Sequence, residues 1–405
     1  MFPIIDLSPK FRMLIVFFVA WLASALIFKP ICQIAKSKNI VDNPDARKLQ
    51  KEPIPVLGGV VVFFGIIAGL TFFKTLHSYV SIFPVVSAMV VMLYIGVIDD
   101  VRGIKSYTRF ALEIMVALLM VFGTKAYVAN FQGMWGIDYV STTCGVMLSV
   151  LTFVGVVNAY NMIDGIDGLS SSLGIQICLC FFLLFFLAHD YSYAALAAVT
   201  MAAMLPFFMH NVFGWSSKMF MGDGGTMVLG TMFSAMILEV LSTRFGTALE
   251  AITEVTIGGG WTLDFSLIAF TLAVFGLPIA DTLRVMFERI ARKKSPFSPD
   301  NTHLHHLYVQ NGYSFIGTTI RENLLNLVGI AAFILLWRLG ASKEWQMYGV
   351  VLCALAADHI PTALLRYTLK HPDCALAVFV AKRAKRSHIE RRGIWLKIQK
   401  LIDRA

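Results

Sequence analysis

Charge is scarce in this sequence. Lys, Arg, Asp and Glu make up only 15% of its 405 residues, whereas soluble domains carry about 25%. That shortage excludes an ordinary water-soluble globular protein. Cysteine is also sparse. Cys32, Cys144, Cys178, Cys180, Cys353 and Cys374 contain no C-x-x-C pair and fall mostly in apolar runs. Such placement argues for buried thiols acting as small hydrophobes and against a cysteine metal site. Nor does the net charge of +9 require a nucleic acid, because most of it sits in a basic C-terminal run from Lys382 to Arg392, with Lys397 and Lys400, suited to anionic lipid headgroups.

Apolar residues are plentiful, at 57% of the chain. A membrane-crossing helix needs about 20 of them in succession. Eleven segments meet that rule, near 11–31, 56–74, 80–98, 107–124, 144–160, 169–188, 194–213, 225–242, 265–285, 322–340 and 346–366. The fold class expected is therefore an all-α polytopic membrane protein, with one integral-membrane domain over 1–366 and a basic tail over 367–405. The first apolar run continues past Ala23-Ser-Ala25 into Leu26-Ile-Phe28, which reads as a retained span rather than a cleaved signal peptide.

Eleven spans put the two ends on opposite faces. With the amino terminus outside (periplasmic), the inner loops near 32–55, 99–107, 161–168, 211–224, 285–321 and 367–405 hold about 23 of the 34 Lys and Arg. Positive charge favours the cytoplasmic side, so the C-terminus is expected there, and Lys10 and Arg12 are outweighed. The polar motifs fall in the same inner loops.

Foremost is Asn158-Ala-Tyr-Asn-Met-Ile-Asp164-Gly-Ile-Asp167-Gly-Leu169, set between two apolar runs. An Asp in a spanning helix costs roughly 2.5–3.5 kcal/mol on insertion scales. Two of them, three residues apart, can address one ligand. Asp99 and Asp100 end the third span, where two acids oppose the helix dipole. Taken with the second acidic pair, they suggest a phosphate or Mg²⁺ role, since Mg²⁺ takes few carboxylates and completes its shell with water and phosphate oxygens. Asp223 lies in Lys218-Met-Phe-Met-Gly-Asp-Gly-Gly-Thr226, where glycines let backbone approach a ligand and a helix start favours anions. Phe220 can stack on a base or anchor the interface. Arg289 leads into a loop rigidified by Pro296 and Pro299, followed by His303-Leu-His305-His306. No nearby cysteine completes a zinc set, so these side chains suit orientation and charge stabilisation around phosphates. Arg47 and Lys51, ahead of Gly58-Gly59, meet a nucleotide or merely satisfy the positive-inside bias. Acids, bases and histidines gathered on one membrane face fit phosphoryl transfer. A prenyltransferase and an ion-coupled transporter are the rival classes, although a transporter would place its acids near the bilayer midplane.

The chain resembles the polyprenyl-phosphate N-acetylhexosamine-1-phosphate transferases. Similarity runs from about Val41 to His306, through Val41-Asp-Asn-Pro-Asp-Ala-Arg-Lys48, Ile98-Asp-Asp100, the 158–169 motif, Phe220-Met-Gly-Asp-Gly-Gly225 and Ser295-Pro-Phe-Ser-Pro-Asp300-x-x-His303-x-His305-His306, in family order. The branch acting on UDP-GlcNAc and undecaprenyl phosphate is the most similar, and the peptidoglycan branch is more distant. The resemblance implies attack of a lipid phosphate on the β-phosphorus of a UDP-sugar, releasing UMP at the bacterial inner membrane and initiating a lipid-linked surface polysaccharide such as O antigen.

It further implies catalytic roles for Asp99, Asp100 and His303, and metal binding by Asp223 with Asp100. Mg²⁺ is the expected cofactor, with Mn²⁺ as a substitute. Lys51, Asp164, Asp167, Asn211, Phe220, Arg289, His305 and His306 are implied to hold the nucleotide sugar. Within that set Asp167 and Lys51 fall to the uracil and Phe220 to stacking on it. Membrane lipids are further partners, and a homodimer is admitted. Glu288 and Ala291 replace basic residues of the nearest pattern, which thins the positive field and leaves the hexosamine open to another UDP-N-acetylhexosamine. Gly224 and Thr226 are tolerable departures. The outer loop 243–264 is long for the branch.

Overall fold

A computed structural model describes residues 8–44, 52–73, 76–253, 264–298, 300–387 and 393–404. In chain order its helices are α1 (Pro9–Ser37), α2 (Gly58–Thr71), α3 (Leu76–Arg102), α4 (Ser106–Thr124), α5 (Thr142–Met162), α6 (Leu169–Leu187), α7 (Tyr191–Phe213) and α8 (Gly222–Val240). These are followed by α9 (Thr243–Thr253), α10 (Leu267–Val274), α11 (Gly276–Ala291), α12 (Leu304–Gln310), α13 (Phe315–Arg338), α14 (Lys343–Lys370), α15 (Ala375–Arg386) and α16 (Ile394–Arg404). Strand β1 (Val41–Asp42) pairs antiparallel with β2 (Ile54–Pro55).

Among the described residues, eight helices are long and apolar enough to cross a membrane: α1, α3 to α7, α13 and α14. Two further segments qualify only as bent pairs. One is α8 with the start of α9, bent by 58°, and the other is α10 with α11, bent by 71°. The count thus reaches ten rather than eleven. The segment expected near 56–74 falls short of that length criterion, because it contains only the 14-residue α2. At 1.5 Å per residue that is about 21 Å, short of a hydrocarbon layer about 30 Å thick.

Local sequence explains where many helices start. Ser8, Ser141, Asp190, Ser266, Ser314 and Ser342 each accept a backbone N–H of the first turn of α1, α5, α7, α10, α13 and α14 respectively. Those side chains satisfy donors that a helix start otherwise leaves unpaired.

The axis of the bundle is α8. Every residue from Gly224 to Val240 is buried, as expected of a helix that is apolar all round. Around it pack α3 and α5, then α2 and α6, while α1 and α7 close one side and α13 and α14 pair beside α10. Close approach depends on glycine. A Cβ at Gly59 would lie 2.2 Å from the Gly225 Cα, and one at Gly96 would lie 2.4 Å from the Gly224 Cα. The starts of α2 and α8 and the last turns of α3 are thereby drawn into backbone contact. The peptide preceding α2 joins the same knot, because Phe220 N–H donates to the Pro55 carbonyl and Gly58 and Gly59 N–H donate to those of Phe220 and Met221.

Candidate active site

The last turn of α3, the first turns of α4 and α8, and the end of α5 meet at one end of the bundle. Asp100 caps α8 from outside its own helix. Its Oδ1 accepts the Asp223 N–H at 2.9 Å and its Oδ2 the Gly224 N–H at 3.2 Å. Gly222, at φ +74°, makes the turn that presents those donors, and a Cβ there would lie 2.7 Å from Asp100 Oδ2. Asp99 accepts the Ile104 N–H at 2.6 Å and pairs with Arg109 Nη1 at 3.2 Å.

Arg109 is the hub. Beyond Asp99 it pairs with Glu113 at 3.1 Å and reaches Asp223 at 3.9 Å, while its Nη2 is buried without a partner. Glu113, buried in α4, also accepts from Asn158. Asp223 Oδ1 accepts from Asn161 at 2.6 Å, and the same amide donates to Thr226 at 2.7 Å. One guanidinium therefore stands among three carboxylates that would otherwise repel.

The 163–168 loop carries the second acidic pair. Asp164 accepts from the Ser170 hydroxyl at 2.5 Å. Burial pushes its carboxyl up to about 6, reinforced by the charges of Asp223 and Asp167. Asp167 pairs with Lys218 at 2.5 Å, and the Lys218 ammonium sits 5.9 Å from the Phe220 ring centre. Asn211 stands behind this pair rather than beside open space. It is buried, its Oδ1 accepts the Gly168 N–H at 2.6 Å and its Nδ2 donates to the Met219 carbonyl at 2.9 Å. It fastens two loops to each other.

The histidine loop packs against the second of these groups, at Gly165. His303 Nδ1 lies 2.6 Å from Asp281, which also accepts the Leu304 N–H and pairs with Arg284 at 2.5 Å. Arg284 in turn reaches Asp358 on α14 at 2.8 Å. Arg289 is buried, binds both oxygens of Asp300 and the Pro296 carbonyl, and lies 3.4 Å from His303 Nε2. Asp300 is correspondingly depressed to about 2; burial opposes this, and the hydrogen bonds from Arg289 and Thr302 outweigh it. His305 packs on the backbone of Gly165, where a Cβ would lie 2.1 Å from its Nε2. Burial lowers His305 and takes His306 down to about 4. The surroundings thus disfavour the charged form of both rings, and His305 Nδ1 is buried without a partner.

Asp99, Asp100, Asp164, Asp167, Asp223, Phe220, Arg289, His303, His305 and His306 thus share one end of the bundle, with Asn211 behind them. Lys51 and Arg47 lie outside the described residues. Sequence reasoning passed over Arg109, Glu113, Asn161, Lys218 and Asp281. A signal existed for three of them: ionisable side chains within apolar helices, as in Arg109 and Glu113 of α4 and Asp281 of α11, are costly and mark function.

A groove of about 650 Å³ leads away from this end along α5, between α4, α8 and the bent α10–α11 pair. Its walls are almost wholly apolar. One end includes Phe110 and Asn158, beside Arg109 and Glu113, and Phe297 of the histidine loop; the other reaches Phe131 and Trp135.

A bundle of membrane helices with a charged end and an apolar groove defines a membrane protein built to work on a molecule that is part polar and part lipid. The comparisons define the family. The sequence profile of glycosyl transferase family 4 matches residues 82–241. The chain is 27% identical over 307 residues to the undecaprenyl-phosphate alpha-N-acetylglucosaminyl 1-phosphate transferase of Escherichia coli (strain K12), covering 74% of this chain and 78% of that one. It is 31% identical over 321 residues to the decaprenyl-phosphate N-acetylglucosaminephosphotransferase of Mycobacterium leprae (strain TN), covering 74% and 77%. The chain belongs to this family of glycosyl transferases, and it is a multi-pass protein of the bacterial inner membrane.

Proposed function

We propose that this protein transfers N-acetylglucosamine 1-phosphate from UDP-GlcNAc to undecaprenyl phosphate, releasing UMP on the cytoplasmic face. The observation that carries the reading is the groove. An apolar channel along α5 ends beside Arg109 and the carboxylates, so a polyprenyl tail lying in it would deliver its phosphate to the charged end. The names of the relatives above, all prenyl-phosphate N-acetylglucosamine transferases, support the same substrates.

The roles follow from placement. Arg109 offers an unpartnered, buried Nη2 donor, suited to an incoming phosphate oxygen. Arg289 and His303, held by Asp300 and Asp281, would orient the diphosphate of the sugar nucleotide. Lys218, Asp167 and Phe220 would supply a charge, an acceptor and a ring for the uridine, and His305 and His306 would offer ring nitrogens to the sugar nucleotide.

The donor set suits Mg²⁺. Around Asp223, Asp100 and Asp99 the candidate ligating atoms are carboxylate oxygens, the Asn161 amide donates to Asp223, and the Asp223 side chain is a third exposed. Mg²⁺ is commonly held by one or two carboxylates, its shell completed by water and substrate phosphates. Asp223 would hold it, with Asp100 steadying the turn, and when bound it would neutralise diphosphate charge.

The displacement we favour is direct and in line. A phosphate monoester has its second pKa near about 6, so at neutral pH it is already a competent nucleophile. A covalent aspartyl intermediate is the rival; exchange of labelled UMP into UDP-GlcNAc without lipid would favour it. The function itself is tested by supplying labelled UDP-GlcNAc and undecaprenyl phosphate to the purified protein, beside UDP-GalNAc and other N-acetyl sugars. Formation of a lipid diphosphosugar with equimolar UMP is expected. Release of inorganic diphosphate, or no product with any UDP-sugar, would overturn the reading.

A further inference from the structure

The last helix of the chain sits on the site's doorstep. α16 packs against the end of α7, with the rings of Trp395 and Phe213 4.5 Å apart and Ile402 buried. Asp403, in the last turn of α16, turns its carboxylate onto the loop after α7. Its Oδ1 accepts the Trp215 and Ser217 N–H groups, both at 3.2 Å, and the Ser217 hydroxyl at 2.9 Å. The Asp403 carbonyl accepts Lys29 Nζ of α1 at 2.8 Å. Ser217 is buried and its hydroxyl also meets His210 Nδ1 at 2.8 Å.

The next residue is Lys218, whose ammonium pairs with Asp167 and lies against Phe220. A surface acid is rarely worth much by itself. Here, however, it collects three donors from one turn, and carboxylate acceptors form the stronger class of hydrogen bond. Other ties join it: Gly214 N–H donates to the His210 carbonyl, Lys36 donates to the Ser216 carbonyl, and the Cys32 thiol lies 3.9 Å from the Lys218 carbonyl.

We propose that Asp403 is a positioning residue: α16 latches the 214–218 turn and so sets where Lys218 and Phe220 stand for the nucleotide. Nucleotide affinity would then depend on a helix more than 180 residues downstream of the loop it steadies. The identity of the nucleotide rests on the function proposed above; the latch itself does not.

Two measurements on the full-length protein in detergent test it. In the first, Asp403→Ala should raise KM for UDP-GlcNAc about tenfold, as misplacement of a binding group does, with kcat and KM for undecaprenyl phosphate nearly unchanged. Ser217→Ala should move KM in the same direction, and Asp403→Glu should restore most of it. In the second, limited trypsin should cut after Lys218 several-fold faster in Asp403→Ala than in the unaltered protein, as judged by fragment mass. Equal losses in kcat and in both KM values would mark a merely structural role and overturn the latch, as would unchanged KM. Should the unaltered protein turn over no UDP-sugar, the function reading fails instead, and the trypsin result alone decides the latch: an unchanged cutting rate after Lys218 overturns it.

Discussion

Replacing Asp164 with Asn should make the protein more stable and less active, and the gain should depend on pH. The carboxyl of Asp164 is raised from 3.8 to about 6 by burial first and by the charges of Asp223 and Asp167 second, with the Ser170 hydroxyl opposing. A shift of about two units at 1.36 kcal/mol each amounts to ~3 kcal/mol. Because Asp164 keeps partial solvent access, that figure is a ceiling. The sign follows from proton counting. Between pH 4 and 6 the native state holds a proton that the unfolded chain has released. Stability is therefore full below about pH 4, falls as pH rises through 6, and is flat above.

Asn cannot ionise, and its carbonyl can still accept the Ser170 hydroxyl, so the variant escapes the penalty. Thermal unfolding of both proteins in detergent, followed by tryptophan fluorescence from pH 4 to 8, should show Asp164→Asn ahead at pH 7.5 and the curves converging near pH 4. Turnover should be lost at every pH, because the site needs the charge. An advantage of the same size at pH 4.5 and 7.5, or a variant less stable than the parent at pH 7.5, would refute the reasoning.

Asp223→Asn should leave the protein folded and inserted but lower kcat by at least about 10²-fold, the scale on which single transition-state charge stabilisers act; most of the activity surviving at saturating Mg²⁺ would remove Asp223 from the metal site. Gly155 lines the groove with open space in front of it, so Gly155→Trp should raise KM for undecaprenyl phosphate and leave KM for UDP-GlcNAc unchanged, as steady-state kinetics with each substrate varied will show. Gly59→Ala would drive a methyl group to 2.2 Å from the Gly225 Cα; overpacking of this kind costs about 1–3 kcal/mol or more, and a lower melting temperature with impaired turnover is expected.

Much of this was legible before any fold was known. Hydropathy is a local property, so the apolar segments could be read directly, and all but α2 and the two bent pairs match single long helices. Acids inside apolar runs stand out because of their insertion cost, which is why Asp99, Asp100, Asp164 and Asp167 were visible as candidates. Arg109 and Glu113 carried the same signal within α4, and it went unread. Lys218 had no such mark. A lone lysine in an inner loop looks like any other positive-inside residue until Asp167 is found beside it. Asn211 was implied by the resemblance alone, and its amide bonds two loop backbones.

What the chain alone determined is a helical membrane protein with its acids and histidines in loops of one expected sidedness, since side-chain solvation is decided residue by residue. Tertiary packing decided the rest. Glycine contacts between α2, α3 and α8 bring Asp100 onto Asp223, and helix crossing places Arg109 within reach of Asp223. The break between α10 and α11 flanks the groove, and α16 returns from the far end of the chain to meet the turn before Lys218. These are distances between residues far apart in sequence, and only the packing of helix on helix sets them.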